Sequence, residues 1–114
     1  MKNKLLFLSV MILAQSAFSM TNTELTGKVI SDKTFIQAVE TSIKGIFNQP
    51  SQVVLKFSSA GAKMNRAPYF YADFKYAVKA GSVGMGLCSF TVLGVVQNDT
   101  SLLFKKIAHE DCGE

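Results

Sequence analysis

His109, Glu110, Asp111 and Cys112 stand in one run of four, and Cys88 is the only other cysteine of this 114-residue sequence. Those residue types suit two chemistries, a metal site and a thiol nucleophile. A closed zinc site takes four ligands at recognisable spacing, and this single run does not supply them. A nucleophilic cysteine needs a reduced thiol with a histidine in hydrogen-bond reach. His109 is the only histidine, and it reads as a surface residue near a strand end. The expectation is therefore no metal, no cofactor and no catalytic residue.

Two further motifs dissolve on inspection. Gly81-Ser82-Val83-Gly84-Met85-Gly86 is glycine-rich, but it lacks the Gly-Lys-Ser/Thr ending of a phosphate loop. A strand follows it where a phosphate loop needs a helix, so its glycines read as a hairpin and a bulge. Asn98-Asp99-Thr100 matches a glycosylation sequon and reads as an ordinary turn.

The stretch from Lys63 to Tyr71 has the strongest binding character. It carries Met64, Arg66, Tyr69 and Tyr71, types that are enriched at protein interfaces. Lys63, Met64, Arg66, Tyr69 and Tyr71 are the candidate contact residues. The competing reading is an ordinary crossing loop whose tyrosines cover an open sheet face.

Residues 1–19 read as an address. Lys2 and Lys4 precede the apolar run Leu5–Leu13, and the small residues Ala17 and Ser19 suit a signal peptidase. The apolar run is shorter than the roughly 20 residues needed to cross a bilayer. No cysteine follows the cleavage zone, and no Arg-Arg pair precedes the apolar run. Expected is export by the general secretory route, to the periplasm or the medium, with residues 20–114 forming one small domain. Lys2 and Lys4 leave with the signal, so ten basic residues then face eight acidic ones. That balance gives no nucleic-acid footprint.

The elements follow from hydrophobic period. Glu24–Ile30 alternates weakly and is expected as a short first strand. Asp32 or Ser31 caps a helix whose stripe is Phe35, Ile36, Val39, Ile43, Ile46 and Phe47. Glu40 and Lys44 form an i,i+4 pair on its opposite face. Asn48-Gln49-Pro50 ends it. The period then becomes two. Val53, Leu55 and Phe57 share one face of a strand, and Ala60–Pro68 is expected as a loop. Along Tyr69–Ala80 the residues Phe70, Ala72, Phe74, Tyr76 and Val78 face a core, with Tyr69, Tyr71, Asp73, Lys75 and Lys79 opposite. Met85–Gln97 and Leu102–Asp111 are two more strands around an Asn98–Ser101 turn. The fold class is α+β, one N-terminal helix on a curved antiparallel sheet of four to five strands.

The last hairpin fixes the cysteines. Paired residue numbers across an antiparallel hairpin have a constant sum. Cys88 with Cys112 sums to 200, which centres the turn on Thr100, inside the Asn98–Ser101 cluster. Directly opposed strand residues lie about 4.5–5.5 Å apart at Cα, a separation a disulfide accepts. An exported chain with two cysteines pairs them. One conflict stands. The same register puts Lys106 and Glu110 on the face of Phe90, Val92 and Val96, which a bulge near Lys105-Lys106 would resolve.

One helix followed by antiparallel strands resembles the cystatin-like shape in outline. The Gln-Val-Gly hairpin motif of cystatin inhibitors does not occur in this sequence, so the resemblance implies shape and no inhibitory residues. The expected function is a small exported binding protein without enzymatic activity. Its expected partner is a protein of the envelope, engaged as an inhibitor or immunity-type factor. One rival is a small-ligand binder with a pocket lined by Phe57, Phe70, Phe74 and Tyr76. Another is an envelope structural subunit with an edge strand that accepts a donor strand. Oligomeric state is left open. The export reading has a direct check. N-terminal sequencing of the cell-produced protein should start at Met20, and an intact Met1 in the membrane fraction would refute it.

Overall fold

A computed structural model describes residues 20–112. The segment 1–19, read above as an export signal, lies outside the described residues. Two helices precede four strands: α1 (Asn22–Ser31), α2 (Lys33–Lys44), then β1 (Val53–Met64), β2 (Tyr69–Ala80), β3 (Val83–Val96) and β4 (Leu102–Asp111). The strands form an antiparallel meander in the order β1-β2-β3-β4. Both helices lie on one face of it, α1 against β1 and α2 against β4.

The first correction is α1. Glu24–Ile30 is helical, so the sheet has four strands and two helices cover it. Thr21 and Glu24 form a reciprocal capping box. The Thr21 hydroxyl accepts from the Glu24 N–H at 3.1 Å, and the Glu24 carboxylate accepts from the Thr21 N–H at 3.1 Å. The Thr21 N–H, and after it the Thr21 hydroxyl, hold the Glu24 carboxyl below its ordinary pKa. Leu25 and Val29, four apart, are fully buried. An i,i+4 pair separated by Gly27 also fits period two, which is why the segment alternates like a strand.

Asp32 then caps α2 as expected, its carboxylate accepting from the Phe35 N–H at 2.9 Å. The α2 stripe buries Phe35, Val39 and Ile43, while Ile46 beyond the helix end is exposed. Glu40 does not stay on the opposite face. Its carboxylate accepts the Tyr76 hydroxyl at 3.0 Å. Burial first, then the Glu40 charge, pushes the Tyr76 phenol well above the ordinary tyrosine range.

The second correction concerns the loop. Ala60–Met64 continues β1, so the connection shrinks to Asn65–Pro68, with a cis peptide at Ala67-Pro68. Alanine and glycine are poor strand formers alone, but a long β2 partner and α1 over the edge override that. The sheet is not strongly curled, unlike the expected curved one. Gly94 makes room for a ring. Phe70 and Gly94 are directly opposed, and an added Cβ at Gly94 would sit 2.6 Å from Phe70 Cε1. Phe35 of α2 packs onto the same ring, 5.7 Å between centroids.

The hairpin arithmetic holds where it was anchored. Ser89–Asp111, Phe90–Glu110 and Thr91–His109 all keep the sum of 200, and Cys88–Cys112 is a disulfide with Cα atoms 4.1 Å apart. Two register shifts, at Ala108 and at Lys105, then reduce it. The first, at Ala108, resolves the Lys106 conflict by putting Lys106 opposite Leu93, while Glu110 keeps its place opposite Phe90 and is exposed. The other glycines also act as expected. Gly81 (φ 65°) turns the β2–β3 hairpin, and Gly86 (φ 80°) adjoins the register shift at Val78/Lys79.

Substituting Gly94→Ala should destabilise the protein by about 1–3 kcal/mol, the range for overpacking a filled core. Phe70→Leu in the Gly94→Ala background should recover part of that loss. Urea denaturation reads both, and an unchanged midpoint for Gly94→Ala alone would show that the ring can move aside.

Candidate functional site

Every strand of the meander has two faces, and the helices cover one. Phe70, Ala72, Phe74, Tyr76 and Val78 of β2 are all buried beneath them. The four aromatic residues of the small-ligand reading, Phe57, Phe70, Phe74 and Tyr76, lie on this side of the sheet. Phe70, Phe74 and Tyr76 are fully buried, Phe74 stacks on Tyr76 at 6.1 Å, and Phe57 packs edge-on against Tyr76 at 5.8 Å. Phe70, Phe74 and Tyr76 fill the core with one another, and Phe57, 40% exposed, lies at its margin.

None of the described elements lies on the opposite face. Cross-strand register lays its side chains out in rows. Tyr69 pairs with Val95, and Val95 with Leu103. In the next row Lys63 pairs with Tyr71, Tyr71 with Leu93, and Leu93 with Lys106. Neighbours in such rows lie about 4.5–5.5 Å apart at Cα, so the two rows make one continuous apolar patch with a lysine at each side. Tyr69 is 44% exposed and Leu103 43%, while Tyr71, Leu93 and Val95 are half-buried among their neighbours.

The following row is polar: Gly61, Asp73, Thr91 and His109. The Thr91 hydroxyl donates to Asp73 Oδ1 at 2.8 Å, which fixes the carboxylate over the middle of the sheet. Gly61 carries no side chain and leaves open space beside Asp73. A shallow notch of about 360 Å³ results, lined by Asn22, Thr26, Gly61, Lys63, Tyr71 and Asp73 among others. It opens where the apolar rows meet the β1 edge.

The candidate residues thus separate. Lys63, Tyr69 and Tyr71 share the uncovered face. Met64 turns inward and packs against the core. Arg66 sits exposed in the β1–β2 turn, where its carbonyl accepts the Tyr69 N–H at 2.8 Å. Leu93, Val95, Leu103 and Lys106 complete the patch and were missed from sequence. Period two could have put Leu93 and Val95 on one face, but the bulges at Met85 and Lys105 hide which residues lie opposite Tyr71.

His109 lies exposed on the same face opposite Thr91. Among the described residues no group of three metal-binding side chains comes together. Both sulfurs are consumed in the Cys88–Cys112 bridge, so neither serves as a thiolate. Comparison of the chain with protein-family models, with curated proteins and with solved structures finds no match.

If the uncovered face is a surface and not a second core, its side chains carry little of the folding energy. Tyr69→Ser and Leu103→Ser should each cost less than about 1 kcal/mol, the scale of a cross-strand pair. Phe74→Ala should cost about 3–5 kcal/mol. Guanidinium melts of the three variants give the comparison, and a loss at Tyr69 equal to that at Phe74 would contradict the division.

Proposed function

We propose that this chain is a small exported binding module that engages a protein of the envelope through the uncovered face of its sheet, acting as an inhibitor or immunity-type factor. The observation that carries the reading is the Tyr69–Tyr71–Leu93–Val95–Leu103 patch on a rigid sheet. Such a cluster is rarely left exposed without a partner. Tyrosine is suited to it, since its large ring has few rotamers to lose and its hydroxyl can remain hydrated.

Size supports the same reading. Four strands about 4.8 Å apart and a dozen residues rising about 3.3 Å each give a face of about 750 Å². A standard protein–protein interface takes about 800 Å² from each partner. Export is supported by the disulfide, which oxidising compartments favour. Among the described residues no helix is long and apolar enough to cross a membrane. Use as an acceptor of donor strands fits less well. The β1 edge is capped at Ala62, and β4 carries two bulges, devices that discourage edge pairing.

Site-specific photo-crosslinking in cells tests the assignment. A benzophenone amino acid replacing Tyr69 should yield a discrete protein adduct, and the same group replacing Lys33 on α2 should not. Adducts from Lys33 alone would move the binding surface to the helices and overturn the reading.

A further inference from the structure

The protein's charge is divided unequally between its two layers. In the helices and their caps, Lys28, Lys33 and Lys44 are balanced by Glu24, Asp32 and Glu40. The uncovered sheet face is different. Register puts Lys56, Lys63, Lys75, Lys79 and Lys106 on it, against Asp73 and Asp111. Asp73 is already engaged by the Thr91 hydroxyl. Arg66 adds a further cation at the end of the face where the apolar rows lie. The excess of basic residues is therefore concentrated on one face.

From this we infer that the partner surface is acidic, with apolar side chains set between its carboxylates. The inference rests on the binding reading above and adds the chemistry of the partner to it. Lys63 and Lys106 end the Tyr71–Leu93 row on opposite sides. An apolar side chain docked on that row leaves room for a carboxylate at each end, within reach of an ammonium group. Opposed potentials of this kind raise the rate of encounter and exclude partners of the wrong sign.

The same charges decide against the two other occupants of a flat apolar face. A second copy docked face to face would set five lysines of each chain against five of the other, and like charges across an interface are costly. A lipid bilayer rewards apolar side chains that protrude past the headgroups. Here Tyr71, Leu93 and Val95 are half-buried between strands, Tyr69 and Leu103 stand out by less than half of their surface, and the carboxylates of Asp73 and Asp111 lie on the same plane.

The test uses protein expressed from the full chain and purified with its disulfide intact. A phage-displayed library of random peptides is selected on the immobilised protein. Recovered peptides should be enriched in Asp and Glu beside Leu or aromatic residues. Their affinity should fall with added salt, and by tenfold or more in the double variant Lys63→Glu, Lys106→Glu. Both side chains are exposed, and a thermal melt shows whether that variant folds. A selection repeated on the variant should lose the acidic preference. Enrichment in basic or uncharged peptides, or affinity unchanged by the charge reversal, would overturn the inference. So would co-sedimentation with phosphatidylglycerol vesicles, or dimerisation in sedimentation equilibrium that Tyr71→Lys abolishes. Those results leave the crosslink from position 69 standing. Loss of that crosslink instead removes the binding surface itself.

Discussion

Phe70 lies over a glycine, and the two-layer arrangement depends on that contact. The ring occupies the space that a side chain at Gly94 would take, and Phe35 of α2 rests on the ring. Helix, β2 and β3 are thereby stacked without a gap. Phe104 of β4 meets the same phenylalanine of α2 edge-on at 6.2 Å, so three of the four strands are keyed to one residue of the helix layer. Once that stack is in place, the parity of every strand is decided. Residues in step with Phe70 go under the helices, and the rest face outward. Two helices of ten and twelve residues can cover only one side of a four-stranded sheet. The bare face is thus a geometric result of how little helix the chain has.

The sheet's two edges are handled by different means. At β1, the Thr26 hydroxyl takes both polar groups of Ala62, accepting its N–H at 2.8 Å and donating to its carbonyl at 3.2 Å. Asn22 accepts the Met64 N–H at 3.3 Å one residue pair further on. A helix running beside an edge strand thus satisfies groups that would otherwise invite another chain. At β4 no helix side chain does this among the described hydrogen bonds. Instead two bulges interrupt the ladder and Lys105-Lys106 adds charge there. Edge pairing is discouraged on both sides, which leaves the flat face as the surface most open to a partner.

Much of this was legible in the residues. The α2 cap at Asp32, the inward set of β2 and the cysteine pairing follow from cap chemistry, period two and hairpin arithmetic. A break in the β3–β4 register was legible as a conflict, because Lys106 had no place on the face of Phe90 and Val92; the shift that relieves it falls at Ala108. The capping box Thr21-x-x-Glu24 was also present in the sequence, yet Leu25, Gly27 and Val29 alternate as a strand does. Only packing against β1 separates the two patterns. The extension of β1 through Ala60-Gly61-Ala62 was not legible, since those residues owe their strand to the neighbours on either side. For the same reason the outward patch was seen only in part. Tyr69 and Tyr71 stand out by type, whereas Leu93, Val95, Leu103 and Lys106 join them through a register that bulges displace.

The disulfide bears on more than the strength of the fold. Cys88 and Cys112 close most of β3, the Asn98–Ser101 turn and all of β4 into one covalent ring. Two copies of a meander can otherwise exchange their last strands, each lending its edge to the other. Here β4 cannot leave its own β3 without the bridge being broken first. Exchange of β4 alone is therefore opposed by connectivity for as long as the bridge is intact.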